Sequence, residues 1–283
     1  MRYFIDTITS KAYWQYVLLS RSGAESVFAI FGMIYLVVES LDFFNIYTRD
    51  QYGAYAFLIF LLLAVLISIG IRRPISAISV SFPKNDFIIE VRIGDLFDSP
   101  GSIMVSTNNR FEADVASGKI APESIQGQFT ARYFTGNQDK LISSISEELE
   151  KLDDSEPYPI GTTIPITTHG KTFYFTAMAR LNDQGNASTS REDVKTALNG
   201  LWKYVREAGE LQELAVPVVG TGRGRLQLSR IRTIALIAES FARASEQMKF
   251  SEKLSIVVRN DDASQFGVNL YEVKDHLVKV LKY

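Results

Sequence analysis

The sequence predicts an α/β protein: a two-helix transmembrane hairpin at the N-terminus, then a three-layer α/β/α domain built on a mixed sheet. Three observations carry this reading. Residues 52 to 71, YGAYAFLIFLLLAVLISIGI, run for twenty positions without a charge. From Ile75 onward, short runs alternate apolar and polar residues, the period of a half-buried strand. Between those runs lie segments with apolar residues every three to four positions, the period of an amphipathic helix.

The hairpin comes first. At ~1.5 Å rise per residue, residues 52–71 match the ~30 Å hydrocarbon core of a bilayer. Arg72 and Arg73 follow at once, and Pro74 stops the helix. Upstream, Ser26 to Val38 is uninterrupted, but Glu25 and Glu39 bracket it. That run alone is shorter than the ~20 residues a span uses. A first crossing therefore needs a helix over residues 23–44, and a single span with an interfacial first helix is the alternative. The opening MRYFIDTITSKAYW lacks the early apolar run of a cleaved signal peptide. Arg2, Lys11 and Arg21 precede the hairpin and Arg72, Arg73 and Lys84 follow it, whereas the connection ESLDFFNIYTRDQ has only Arg49. The positive-inside rule then places both termini in the cytoplasm, as expected of a multi-pass protein of the bacterial inner membrane. The expected organisation is a cytoplasmic segment 1–22, a hairpin 23–73 (spans 23–44 and 52–71) and a cytoplasmic domain 74–283.

Composition excludes several classes. A net charge of −2 offers no basic footprint for nucleic acid. The absence of cysteine removes disulfides, thiolate metal sites and cysteine nucleophiles. Two histidines, His169 and His276, leave little material for zinc or Ser-His-Asp chemistry, so neither a metal nor a cofactor is expected.

In the domain itself, ISAISVSF and DFIIEVRI read as a hairpin around the PKN turn, and GSIMVST, TTIPITT, KTFYFTAM, LAVPVV and LSIVVRN as further strands. Helices fit DKLISSISEELEKL, SRIRTIALIAESFARA and LYEVKDHLVKVLK, and Thr189 with Glu192 predicts a capping box before VKTALNGLWKYV. Strands alternating with helices define the layered α/β class. Trp202 is expected in the core.

Chemistry concentrates in two places. In ELAVPVVGTGRGRLQLSR an apolar strand runs straight into Gly220-Thr221-Gly222-Arg223-Gly224-Arg225, with a helix soon after. Glycines let the backbone approach a ligand and present N–H groups to phosphate oxygens, and the two arginines add charge-assisted contacts. A glycine-rich turn with solvated arginines is the other reading. The dinucleotide fingerprint fails, since its third glycine falls on Arg225. Second, Gly94-Asp95-Leu96 closes a strand, where Asp95 can accept from an exocyclic amine or cap a turn. Two other features carry nothing. His169-Gly170-Lys171-Thr172 imitates the end of a P-loop, but the preceding Gly161 is too far upstream. Asp261-Asp262 reads as a solvated loop rather than a metal pair, and neighbouring Phe266 as core, with packing on an adenine as its other reading.

Together these elements resemble the macro domain family. It pairs a Gly-Asp-hydrophobic element with a strand ending in an Asn-bearing loop, here Val105-Ser106-Thr107-Asn108-Asn109. A later proline-containing strand enters a Gly-Thr-Gly loop, here Val216-Pro217-Val218-Val219-Gly220-Thr221-Gly222. Order and spacing match over residues 85–283. The resemblance implies that Asp95, with Leu96, holds adenine, that Gly220 to Arg225 cradle phosphates and distal ribose, and that Asn109 lies near that ribose. Family members that hydrolyse ADP-ribosyl bonds carry asparagine where this chain has Ser106, and a glycine run after Asn109. Here RFEADVASGKIAPESIQGQF has no such run, and Ser124, Ile125 and Gly127 form a replacement loop or an ordinary helix cap. These departures favour binding over turnover, so no catalytic residue is expected. A membrane-tethered ADP-ribosyl hydrolase is the alternative.

The hairpin, the divergent macro domain and SIQGQF are similar to the membrane effectors of bacterial Thoeris anti-phage defence. That resemblance implies a nucleotide second messenger made by a TIR-domain partner, an ADP-ribose derivative of the histidine-conjugated kind, as ligand. It also implies ligand-driven homo-oligomerisation and disruption of the lipid bilayer through clustering.

Overall fold

The computed structural model describes residues 2–46, 53–82, 86–115, 118–182, 185–219 and 228–281. The chain divides into two compact units, Met1–Ile75 with Ala263–Glu272, and Ser76–Asp262 with Val273–Tyr283.

The first unit is helical. Short helices α1 (Arg2–Thr9) and α2 (Lys11–Trp14) lead through a π-helical turn, Gln15–Leu19, into α3 (Arg21–Phe43), and α4 follows at Gly53–Ile71. Ser20 starts α3 by accepting the Gly23 N–H at 2.9 Å, which satisfies one of the free donors at a helix N-terminus. A Cβ on Gly23 would stand 2.4 Å from the Val17 carbonyl oxygen, so only glycine lets the π-helical turn and α3 meet. By length and composition α3 can cross a membrane, and the apolar stretch Tyr55–Ile71 of α4 is shorter. Phe31 of α3 meets Phe57 of α4 edge to face at 5.4 Å.

The polar groups of this unit gather at the end of α4. The Arg72 guanidinium donates to the Ser22 carbonyl at 2.8 Å, to Ser22 Oγ at 2.8 Å and to Ser26 Oγ at 3.1 Å, and lies over the Tyr16 ring. The Tyr13 hydroxyl donates to the Arg72 carbonyl at 2.9 Å and the Tyr271 hydroxyl to that of Ile71 at 2.8 Å. Both bonds satisfy carbonyls that a helix C-terminus leaves without an internal partner. Tyr271 is one of ten C-terminal residues that fold with this unit, a grouping that a single body over 74–283 does not anticipate. Asn269 starts their helix by accepting from the Tyr271 N–H at 2.9 Å.

The second unit is a mixed sheet between helical layers. In chain order its elements begin with β1 (Ala77–Phe82), β2 (Phe87–Ile93), β3 (Ser102–Asn108), α5 (Ile125–Tyr133), α6 (Gln138–Leu149) and β4 (Thr163–Thr168). Then come β5 (Lys171–Leu181), β6 (Ala187–Ser188), α7 (Arg191–Ala208), β7 (Leu214–Pro217), α8 (Arg230–Gln247) and β8 (Lys253–Val258). Helix α9 (Asn260–Gln265) begins in this unit, and α10 (Leu270–Val280) ends in it. The strand order is β1-β2-β8-β7-β3-β5-β4, with β6 paired to β5. The pairs β2–β8, β8–β7, β7–β3 and β3–β5 are parallel, and the outer pairs β1–β2 and β5–β4 antiparallel. A mixed sheet is what the alternating strand and helix pattern predicts.

Alternation along β5 builds both cores. Phe173, Phe175 and Ala177 join Phe129 of α5 and Leu141 and Ile145 of α6 in one buried cluster. Tyr174, pointing the other way, meets Tyr204 of α7. Trp202 of α7 is buried with its ring 5.5 Å from Phe241 and 5.8 Å from Phe250, and its indole N–H donates to Ser240 Oγ at 2.8 Å. The capping box of α7 lies one residue later than the sequence predicts. Ser190 Oγ accepts from the Asp193 N–H at 3.0 Å, and the Asp193 carboxylate accepts from the Ser190 N–H at 3.0 Å. Asp193 outcompetes Glu192 because its carboxylate also receives Arg180 at 2.9 Å. Burial pushes the Asp193 carboxyl up, but the Ser190 and Arg180 donors outweigh it and hold the group below the usual carboxylate range.

Candidate functional site

A cleft of about 360 Å³ opens at the C-terminal ends of the central parallel strands. Such ends are where open α/β sheets bind ligands, because the loops diverge there and helix N-termini point inward. Its floor is Ser106, Thr107 and Asn108 of β3, Met178, Ala179 and Leu181 of β5, Pro217 to Val219 at the end of β7, and Val257 of β8. Ile120, Ala121 and the start of α5 form one wall, and Arg259 and Asp262 form another.

The segment SIQGQF is what shapes the first wall. Ser124 caps α5, its Oγ accepting from the Gly127 N–H at 3.0 Å and donating to the Ala121 carbonyl at 2.6 Å. A Cβ on Gly127 would fall 2.3 Å from the Ala121 oxygen, so this residue lets the helix lie directly on the preceding turn. Gln126 is buried and spends both ends of its amide. Its Oε1 accepts from the Thr107 hydroxyl at 3.0 Å and its Nε2 donates to the Glu112 carbonyl at 2.7 Å. One side chain thus ties β3, the loop after it and α5 together. Phe129 anchors the other end in the core. Ser124 and Ile125 line the cleft, with the N-terminus of α5 directed to it, and Gly127 contributes backbone packing.

The other predicted residues are placed unevenly. Gly220, Thr221, Gly222, Arg223, Gly224 and Arg225 lie outside the described residues; β7 ends at Pro217, and Val218 and Val219, which lead to them, lie on the cleft floor. Asp95 is exposed, and neither it nor Leu96 is among the lining residues. Asp95 Oδ1 caps a 3-10 turn by accepting the Phe97 N–H at 2.9 Å, and Oδ2 pairs with Arg132 at 2.7 Å. Hydrogen bonding to Asp98, then to Asp95, raises the Arg132 pKa further above its already high value, against desolvation. Leu96 is buried in the core cluster. Asn109 is buried too, its Oδ1 accepting the Leu181 N–H at 2.9 Å, so that Asn108, one residue earlier, reaches the cleft. The register shift between Thr107 and Asn108 accounts for that exchange, since one residue reverses the direction of a strand side chain.

Asp261 and Asp262 belong to α9 rather than to a solvated loop, and Asp262 faces the cleft while pairing with Arg230 at 3.3 Å. Phe266 is half exposed, where the sequence placed it in the core. Gln126, Lys119, Glu123 and Arg259 escaped the sequence reading. Only Gln126 carried a signal, as a polar residue inside an otherwise core-facing helix start. A second depression, about 530 Å³, lies beyond the 110–114 loop, but Glu112, Asp114, Glu150, Asp154 and Glu156 line it and would repel an anionic ligand. Among the described residues no group of three or more metal-ligating side chains occurs.

The mixed sheet, its layers and the cleft at the ends of the parallel strands define a macrodomain-like α/β protein. The macrodomain of Oceanobacillus iheyensis solved with ADP has the same fold, with a TM-score of 0.50 and 13% identity over 73% of this chain and 97% of that one. A mutant of that macrodomain gives a TM-score of 0.50 over 72% and 95%. The model for the macro domain of Thoeris protein ThsA matches residues 89–259, more than half of the chain, and the chain belongs to that family. A curated relative, Thoeris protein ThsA of Bacillus amyloliquefaciens (strain Y2), is 19% identical over 225 residues, covering 75% of each protein.

Proposed function

We propose that this protein is a membrane-anchored receptor for an ADP-ribose-type nucleotide and acts as an effector of anti-phage defence. The observation that carries the reading is the cleft, where the N-terminus of α5 and the strand leading into Gly220-Thr221-Gly222 converge on one space. The start of α5 offers N–H groups to an anion, and a glycine-rich segment following β7 in the sequence suits close approach of a pyrophosphate. Membership of the ThsA macro-domain family and the ADP bound to the Oceanobacillus iheyensis macrodomain support the choice of ligand. The ligand is a signal rather than a substrate. The Asn109 oxygen is committed to the Leu181 N–H and that of Asn108 to the Arg110 and Glu112 N–H groups, which leaves Ser106 of β3 at the cleft.

The anchor is the helical unit, with both α3 and α4 crossing the bilayer of the bacterial inner membrane and both termini cytoplasmic. Phe28, Met33, Leu36, Leu58, Leu62 and Leu66 are exposed, a face too apolar for water and suited to acyl chains. The ligand is a histidine-conjugated ADP-ribose produced by a TIR-domain partner. Its binding shifts the protein toward a clustered state, which requires higher affinity for that state than for the dispersed one. The clustered anchors then breach the bilayer. Calorimetric titration of the detergent-solubilised full chain with ADP-ribose and its conjugates tests the receptor. Saturable heat is expected, and no heat with any of them would refute it.

A further inference from the structure

We propose that the outer edge of β1 docks a second copy of this chain, the two β1 strands pairing antiparallel about Ser79. The inference deepens the clustering part of the reading above and rests on that reading for its consequence in the membrane. β1 and β4 stand at the two ends of the strand order, and among the described residues no strand pairs with either on its outer side. An open edge is a template for further pairing, and proteins blunt it with charge, proline or a bulge.

The two edges are treated differently. Beside β4 the Ala177 N–H donates to the Thr162 carbonyl at 2.9 Å, so Thr162 bonds inward. The alternation of an antiparallel ladder then turns Thr163, Pro165 and Thr167 outward. Pro165 has no N–H, which removes a donor from the middle of that edge. Beside β1 the Ile93 N–H donates to the Ser76 carbonyl at 2.7 Å, and the same alternation turns Ala77, Ser79 and Ser81 outward. All three are exposed and keep their N–H groups. The strand AISVSF carries no charge and pairs with β2 without a bulge.

A second copy fits this edge because an antiparallel strand is complementary to itself under a two-fold rotation. With Ser79 opposite its own copy, Ala77 meets Ser81 on either side, so small uncharged side chains face each other throughout. No like charges are driven together. Glu90, across from Ser79 on β2, accepts from the Ser79 hydroxyl at 3.4 Å and pairs with Lys253 at 3.1 Å. An edge of six residues is about 20 Å long and buries less than the roughly 1,200 Å² of a stable soluble interface. Tethering in one bilayer raises the local concentration, so a weak edge suffices there. Arg72 to Ser76 connect α4 directly to β1, and pairing two β1 strands therefore gathers two anchors.

The test uses the full chain in phosphatidylcholine vesicles, with and without ADP-ribose, and exploits the absence of native cysteine. In a hydrogen-bonded antiparallel pair the Cα atoms stand about 5.5 Å apart, within disulfide reach. Under mild oxidation Ser79→Cys should give a covalent dimer, and Thr167→Cys on the β4 edge should not. Ser79→Pro loses only an outward N–H, so it should keep the wild-type melting curve and ADP-ribose affinity while abolishing energy transfer between labelled copies. Absence of the Ser79→Cys dimer in both conditions, equal cross-linking of Thr167→Cys, or undiminished energy transfer in a folded Ser79→Pro would each overturn the proposal. Should Ser79→Pro fail to fold, the cysteine pair still decides. Wild-type protein that binds no ADP-ribose or conjugate refutes the receptor reading, whereas a cross-linked β1 pair would stand without it.

Discussion

The two units of this chain handle apolar side chains in opposite ways. In the sheet unit Phe129, Phe173, Phe175, Trp202 and Phe241 are buried within it, between the strands and their helices. In the helical unit the long apolar residues Phe28, Leu36, Leu58 and Leu62 face outward, while the enclosed positions include Ala64, Ser68 and Arg72. A sheet in water is held by what it hides. A helical pair suited to lipid is held by close contact and a few polar bonds, since lipid is as apolar as leucine. Composition alone would rank the two segments by hydrophobicity, but the direction of the side chains separates a core from an outward apolar surface.

The sharpest way to break the contrast is to remove a buried ring. Phe129→Ala empties a site that touches Phe173, Phe175 and Tyr133, and should cost about 3–5 kcal/mol in thermal unfolding of the full chain. A loss under about 1 kcal/mol would mean that the ring is not the anchor of α5. The converse experiment charges the outward face. Leu62→Arg should cost about 2.5–3.5 kcal/mol of insertion and make the full chain easier to extract from the membrane fraction, with the sheet unit still folded. Unaltered fractionation would argue against a span by α4.

A smaller effect tests the cleft wall. Gln126→Leu strands the Thr107 hydroxyl and the Glu112 carbonyl, and should cost about 1–3 kcal/mol in thermal unfolding while weakening ADP-ribose in titration. Stability lost with affinity kept would show that α5 and the loop after β3 do not shape the ligand site. Smallest is the cap of α7, where Ser190→Ala should cost about 1 kcal/mol. The depressed Asp193 carboxyl adds a pH signature. Its contribution is complete above the ordinary value of about 3.9 and is lost as pH falls through the lower folded value. Asp193→Asn should therefore lower stability at neutral pH and flatten that part of the acid limb. Parallel acid limbs for the two proteins would show that Asp193 is not held below its usual range.

Local pattern makes much of the fold legible in the sequence. The 163–168 and 171–181 strands, the helix over 138–149 and the turn at His169-Gly170 follow from period and turn chemistry. One wall of the cleft was legible on the same terms, because Ser124 before a helix is a cap whatever surrounds it. Asn109 and Asp95 show why the rest was not. A polar side chain at a strand end can face a ligand or satisfy a neighbouring backbone N–H, and the choice rests on partners distant in sequence: Leu181 is 72 residues from Asn109, and Arg132 is 37 from Asp95.

By itself, the sequence determined the local periods, the uncharged stretch at 52–71, the absence of cysteine and the run of a strand into glycines at 220. Each depends only on neighbours in the chain and on the solvent they prefer. The tertiary structure decided which polar residues reach the cleft, that Gln126 joins three elements, that Arg259 comes to its rim, and that residues 263–272 fold with the helices. Those outcomes depend on hydrogen bonds and close packing between segments far apart in the chain, which no window of sequence contains.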